Sequence, residues 1–117
     1  MLFRSEGGTN LVAMECMACG VPAILSANTG HLDLIKEENC FPLLAQAPLD
    51  GVRGGIGGVP GWGESSVDEA EAALERVHAD RAEAARRGAR GAATAGAMTW
   101  ARTAARTREI VIASMPG

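Results

Sequence analysis

In "MACGVPAILSA" a helix stop stands directly before a short apolar run, and this pair constrains the fold more than anything else in the chain. Gly20 occupies the position of a glycine that ends a helix, and Pro22 forbids its continuation. The stretch that they close, Leu11 to Cys19, opens behind Thr9 or Asn10, either of which can accept an orphan N–H of a first helical turn. Leu11, Met14, Cys16, Met17 and Cys19 do not share one narrow stripe, so a helix buried on most sides is expected. "VPAILSA" has no polar alternation and reads as a buried strand of parallel type. Upstream, "LF" reads as the end of another strand and "EGGTN" as the loop from that strand into the helix. Strand, helix, strand in this order defines a parallel α/β layer.

The remainder of the 117 residues extends that layer and then abandons it. "LDLIKEE", Leu32 to Glu38, predicts a short helix. "CFPLL" predicts an edge strand, with Pro42 keeping it from a sheet centre. Residues 45–65 are rich in glycine and proline and read as a long loop. "SVDE" is a capping box in which Glu69 can reach back to the Ser66 N–H. The helix behind it is expected to run from Val67 to about Arg87, with Ala70, Ala73, Leu74 and Val77 inward, and to be interrupted by Gly88 and Gly91. A last helix is expected from about Thr99, with Trp100 and Trp62 as packing anchors. The organisation expected is thus residues 1–44 as half of a Rossmann-like domain, residues 45–65 as a loop, and residues 66–117 as C-terminal helices of the same domain.

Composition removes several function classes. Net charge is −3 and Lys36 is the sole lysine. No basic block with interleaved aromatics suits nucleic acid, so none is expected as a partner. No apolar run approaches the ~18 residues that span a bilayer, and "MLFRSEGG" lacks the features of a signal peptide. A cytoplasmic location is the expectation. Three cysteines, an odd count, fit a reducing compartment rather than a disulfide framework. Cys16 and Cys19 form a Cys-x-x-Cys, but zinc would need two further ligands from Cys40, His31 and His78. Both cysteines stand at the carboxyl end of their helix, where the dipole opposes a thiolate. Small buried residues are the better reading, and no metal is expected.

Ligands of parallel sheets sit at the carboxyl ends of strands, where loops enter helices. "EGGTN" is such a loop. Gly7 and Gly8 let backbone approach a ligand closely. The free N–H groups of the helix that follows favour a negative group such as a phosphate. Glu6 can accept from hydroxyls. Glu15, about one and a half turns into the helix at roughly 3.6 residues per turn, can receive a vicinal diol. Two carboxylates for hydroxyls with amides for phosphate between them describe a nucleotide-sugar better than a metal. His31, in "NTGHLD", lies near the same crevice, with a ligand contact, a helix cap and a solvated role all open to it.

"EGGTNLVAMECMACGVPAI" resembles the signature of the group 1 nucleotide-sugar glycosyltransferases, which are built from two Rossmann-like domains (the GT-B type). The match is sharpest from Glu15 to Ile24. "GWGESSVDEAEAALERV" and "MTW" resemble the late helix and the tail helix of that family. The resemblance implies a partial Rossmann-like α/β fold, that of the donor-binding C-terminal domain, with a parallel sheet and C-terminal helices. It implies transfer of a sugar from a nucleotide-sugar donor to an acceptor, with retention of anomeric configuration. It assigns Glu6 as the catalytic carboxylate against the donor sugar. Gly7, Gly8, Thr9, Asn10 and Leu11 would contact sugar and diphosphate, and Glu15 would hold the ribose. No cofactor is implied beyond the substrate itself. "GGTN" replaces a shorter loop usual in the family, which leaves open whether Thr9 or Asn10 makes an added contact. An acceptor-binding domain and the basic residues facing the diphosphate would precede residue 1, so the chain alone is expected to be an inactive fragment. The missing part leaves room for peripheral association with a membrane. A reading from another class is a non-catalytic nucleotide-binding or interaction module that kept the donor loop.

Overall fold

A computed structural model describes residues 2–3, 10–48 and 62–115, with backbone alone for Leu2 and Phe3. A three-stranded parallel sheet forms its centre: β1 (Leu2–Phe3), β2 (Ile24–Ser26) and β3 (Phe41–Leu43), in the order β1-β2-β3. Leu2 pairs with Ile24 in register, and Ile24 with Phe41. The fold is mixed α/β, a partial Rossmann-like layer followed by helices, in agreement with the strand–helix–strand pattern of the sequence.

Helix α1 (Leu11–Ala18) links β1 to β2. Its stop is a Schellman motif, in which the Gly20 N–H donates to Met17 O and the Val21 N–H to Cys16 O. Gly20 takes the left-handed φ of 75° that this motif requires. Successive residues of β2 point to opposite faces of the sheet, and both faces are covered. Leu25 packs with Ala13, Met17, Leu34 and Cys40 on the α1 side. Ile24 packs with Phe41, Leu43, Ala70 and Ala84 on the other. A strand buried on both sides must be apolar throughout its core-facing positions, which is why "AIL" shows no alternation.

Helix α2 (Val67–Ala79) covers the second face, and helix α3 (Arg81–Gly96) reaches it through Ala84 while packing along α1. The continuous helix expected to Arg87 is broken at Asp80, whose φ is −115° and whose carboxylate caps α3 by accepting from the Glu83 N–H. Across this corner Glu83 accepts from Arg76 and Arg87, and the two guanidinium groups hold its carboxyl below the usual range. Arg76 and Arg87 also lie over the Phe41 ring, at 5.5 and 4.7 Å from its centroid.

Gly88 and Gly91 do not interrupt α3. They are the points at which it closes on the chain beneath. A β-carbon on Gly88 would stand 2.2 Å from the Gly20 carbonyl oxygen, and one on Gly91 3.1 Å from the Asn39 carbonyl oxygen. Gly20 leads into β2 and Asn39 leads into β3, so α3 runs across the amino edge of the sheet. Asn39, itself buried, donates to Leu34 O and Thr94 Oγ1 and accepts from the Lys36 N–H.

Other expectations need correction. α1 is not buried on most sides: Ala13 and Met17 are buried, whereas Leu11 is 69% exposed. Cys19 is exposed and Cys16 half-buried, so only Cys40 fits the description of a small buried residue. The short helix expected at Leu32 is a 3-10 helix over Thr29–Asp33, since a single turn suffices to return the chain to β3. Within residues 45–65 stand two paired antiparallel strands, β4 (Gln46–Pro48) and β5 (Gly63–Ser65). The Glu69 side chain does not close the capping box but accepts from the Leu44 and Ala45 N–H groups, tying α2 to the start of this ribbon. Helix α4 (Trp100–Ser114) starts where expected, with Thr99 as its N-cap, but buries no residue, and Trp100 is 88% exposed rather than a packing anchor. Among the described residues no helix is long and apolar enough to cross a membrane.

Candidate functional site

With α3 across the amino edge, the carboxyl edge of the sheet is where loops and helix starts converge. Asn10 stands there as the N-cap of α1. Its Oδ1 accepts from the Ala13 N–H at 3.1 Å, and its carbonyl from the Met14 N–H. The first turn holds no acidic residue. The N–H groups of Leu11 and Val12 precede the point at which intrahelical acceptors begin, so this end carries the positive pole of the helix with amides to spare. Glu15, further along α1, is exposed. Glu6, Gly7, Gly8 and Thr9 lie outside the described residues.

His31 is 3% exposed and therefore not solvated. Its Nδ1 lies 3.1 Å from the Ser26 carbonyl oxygen and its Nε2 3.4 Å from Asn10 Nδ2. Two residues singled out in the sequence, Asn10 and His31, are thus brought together across the carboxyl end of β2.

Four further polar residues meet at this edge without having been marked in the sequence. Ser65 Oγ donates to Ser26 Oγ at 2.7 Å. Asn28 Nδ2 donates to Gln46 Oε1 at 2.6 Å and to Gly63 O at 3.1 Å. Gln46 Nε2 donates to Leu43 O and to Ser65 Oγ. The β4–β5 ribbon is thereby clasped to the end of β2. Between these contacts Thr29 holds a left-handed φ of 42°, a strained value for a β-branched residue. The available signal was "SAN", polar residues directly behind an apolar strand. Their partners Gln46 and Ser65 are distant in sequence, and no local pattern links them.

Elsewhere the surface offers less. An open depression of about 510 Å³ lined by Lys36, Glu38, Asn39, Arg90 and Thr94 lies at the opposite, amino end of the sheet. Of its four charged residues, Arg90 and Glu38 pair with each other, and Lys36 and Glu37 complete the set with one charge of each sign. No group of three or more His, Cys, Asp or Glu among the described residues is placed to hold a metal.

The family described as GT4-conflict, family 4 glycosyltransferase in conflict systems, has a sequence model that matches residues 1–107. No curated protein and no solved structure matches the chain. The match takes in the strand–helix–strand unit, the carboxyl-edge cluster and the helices α2 and α3. The chain belongs to the family 4 glycosyltransferases of conflict systems, and a general glycosyltransferase role follows from that membership.

Proposed function

We propose that the chain supplies the donor side of a sugar transfer, binding a nucleotide-sugar at the amino end of α1. The observation that carries this reading is the juxtaposition of the capped, acid-free start of α1 with the carboxyl edge of a parallel sheet. An anion there meets oriented N–H groups and the helix dipole together. In this reading the diphosphate lies against the amides from Gly7 to Leu11, with Asn10 fixing their direction. Glu15 takes the ribose diol, and its exposure leaves its oxygens accessible. Glu6 takes the hydroxyls of the sugar and acts as the catalytic carboxylate, and transfer proceeds with retention. No metal or cofactor takes part. The acceptor is bound by a further domain, so the chain alone does not turn over. This role calls for no contact with nucleic acid and suits a cytoplasmic protein.

Calorimetric titration of the chain with UDP, GDP and their hexose conjugates tests the reading. Binding of at least one nucleoside diphosphate, at comparable affinity with and without the sugar, is the expected result. No binding of any member would exclude the donor role.

A further inference from the structure

The contact between Asn10 and His31 fixes more than a loop. A carbonyl oxygen only accepts, so the His31 Nδ1 facing Ser26 O at 3.1 Å carries the proton. In the neutral ring Nε2 then presents a lone pair. It faces Asn10 Nδ2 at 3.4 Å, a group that only donates. The orientation of the Asn10 amide is set independently, because its Oδ1 accepts from the Ala13 N–H at 3.1 Å. A chain of hydrogen bonds therefore runs from the last residue of β2, through the imidazole, to the cap of α1. His31 is buried, so bulk water does not compete for the ring.

We infer that His31 is a positioning residue for the donor site, acting through Asn10. The inference rests on the donor reading above. An uncoupled Asn10 side chain divides its time among rotamers and caps α1 only in some of them. Coupled to His31, it holds the first-turn amides at one setting relative to the carboxyl end of β2. A diphosphate that meets preset amides does not bear the cost of ordering them. Nothing in this role requires the ring to touch the ligand.

The chain has two histidines, and His78 lies exposed on α2. A nitrogen-edited histidine spectrum of the full chain thus contains one reporter and one reference. The ligand-free protein is expected to show His31 as the Nδ1–H tautomer, and the Nε2–H tautomer would overturn the inference. A double-mutant cycle then tests the route. His31→Phe fills the space without hydrogen bonds, and Asn10→Ser keeps a good cap but loses the amide donor. Each is expected to weaken UDP or GDP binding by roughly fivefold, the scale of one net hydrogen bond. The pair together should lose no more than either alone. Faster exchange of the Ala13 N–H should accompany His31→Phe. Additive losses, or unchanged Ala13 exchange in a folded His31→Phe, would contradict the inference. Should His31→Phe not fold, Asn10→Ser in the folded chain must shift the His31 Nε2 resonance while Nδ1 stays protonated against Ser26 O, and an unmoved Nε2 resonance overturns the inference. A chain that binds neither nucleotide removes the donor reading, while the tautomer and the Ala13 exchange still decide the positioning role.

Discussion

Gly88 and Gly96 lie in the same helix and make opposite demands on a methyl group. A β-carbon at Gly88 meets backbone, 2.2 Å from Gly20 O and 3.1 Å from Gly20 C, and backbone of a Schellman turn cannot yield cheaply. Gly88→Ala should cost about 1–3 kcal/mol, the usual scale of overpacking. Gly96 has nothing within 4 Å of the same position. Gly96→Ala should stabilise by about 0.4–1 kcal/mol through the unfolded chain. Chemical denaturation of both variants checks the contrast in one experiment. Cys40 makes a different prediction. Burial pushes its thiol from 9.0 up to about 11, with the Arg87 guanidinium pulling weakly the other way. Between these values the unfolded chain has lost the proton and the folded chain keeps it. Stability should therefore be intact below pH 9.0 and fall as pH rises towards 11, by about 2–3 kcal/mol in all. Cys40→Ala should flatten that alkaline slope in a stability–pH series. In native protein a thiol reagent should modify the exposed Cys19 and leave Cys40 until unfolding.

At the scale of elements, what was legible in the sequence was what neighbouring residues decide. The Gly20–Pro22 stop, the cap at Asn10 (one of two residues the sequence offers), the Ser66 cap, the start of α4 near Thr99 and the unalternating β2 are local, and the structure has them where the sequence reads them. The sequence places the helix break at the glycines, but Gly88 and Gly91 instead admit the close approach of α3 to Gly20 and Asn39. Asp80 breaks the helix instead, exchanging one turn for a cap. The β4–β5 ribbon was invisible because its stabilising contacts come from Ser26, Asn28 and Glu69, which are far away in sequence. Of the candidate site, Asn10 was legible as a cap and His31 as a neighbour of the crevice, but their mutual contact depends on tertiary geometry. Glu69 allows a direct test of the ribbon. Its carboxylate accepts from Leu44 and Ala45 at 2.8 and 2.9 Å. Glu69→Ala should destabilise by about 1.5 kcal/mol, the lower range for hydrogen bonds to a charged group. Amide exchange at Leu44 and Ala45 should rise with it, and unchanged exchange would show that the ribbon is held by Ser26 and Asn28 alone.

Among the described residues the molecule divides into a packed α/β layer and a helix, α4, that buries no residue. Its radius of gyration is 16.7 Å, against about 13 Å for a compact chain of this length. α4 leaves Trp100, Ile110, Val111 and Ile112 exposed. Fifteen residues with no buried face are marginal as a helix in water. Removal of residues 99–117 should thus shift the melting temperature of the remainder by less than about 4 °C, and Trp100 should be freely quenched by acrylamide in a Trp62→Phe background. At the other end of the molecule, the carboxyl edge of the sheet is proposed to receive a nucleotide-sugar. Glu15→Ala should weaken binding of UDP or GDP by about 1.5–3 kcal/mol if that carboxylate holds the ribose. Glu6→Gln, by contrast, should spare nucleotide affinity and reduce turnover in any form of the protein that transfers sugar. The most direct measurement is a map of amide shifts during titration of the chain with UDP and GDP. Saturable changes centred on Asn10 to Met14, spreading to Ser26 and His31, are expected. Changes centred instead on Lys36, Arg90 and Thr94 at the amino edge, or none at any concentration, would contradict the donor role.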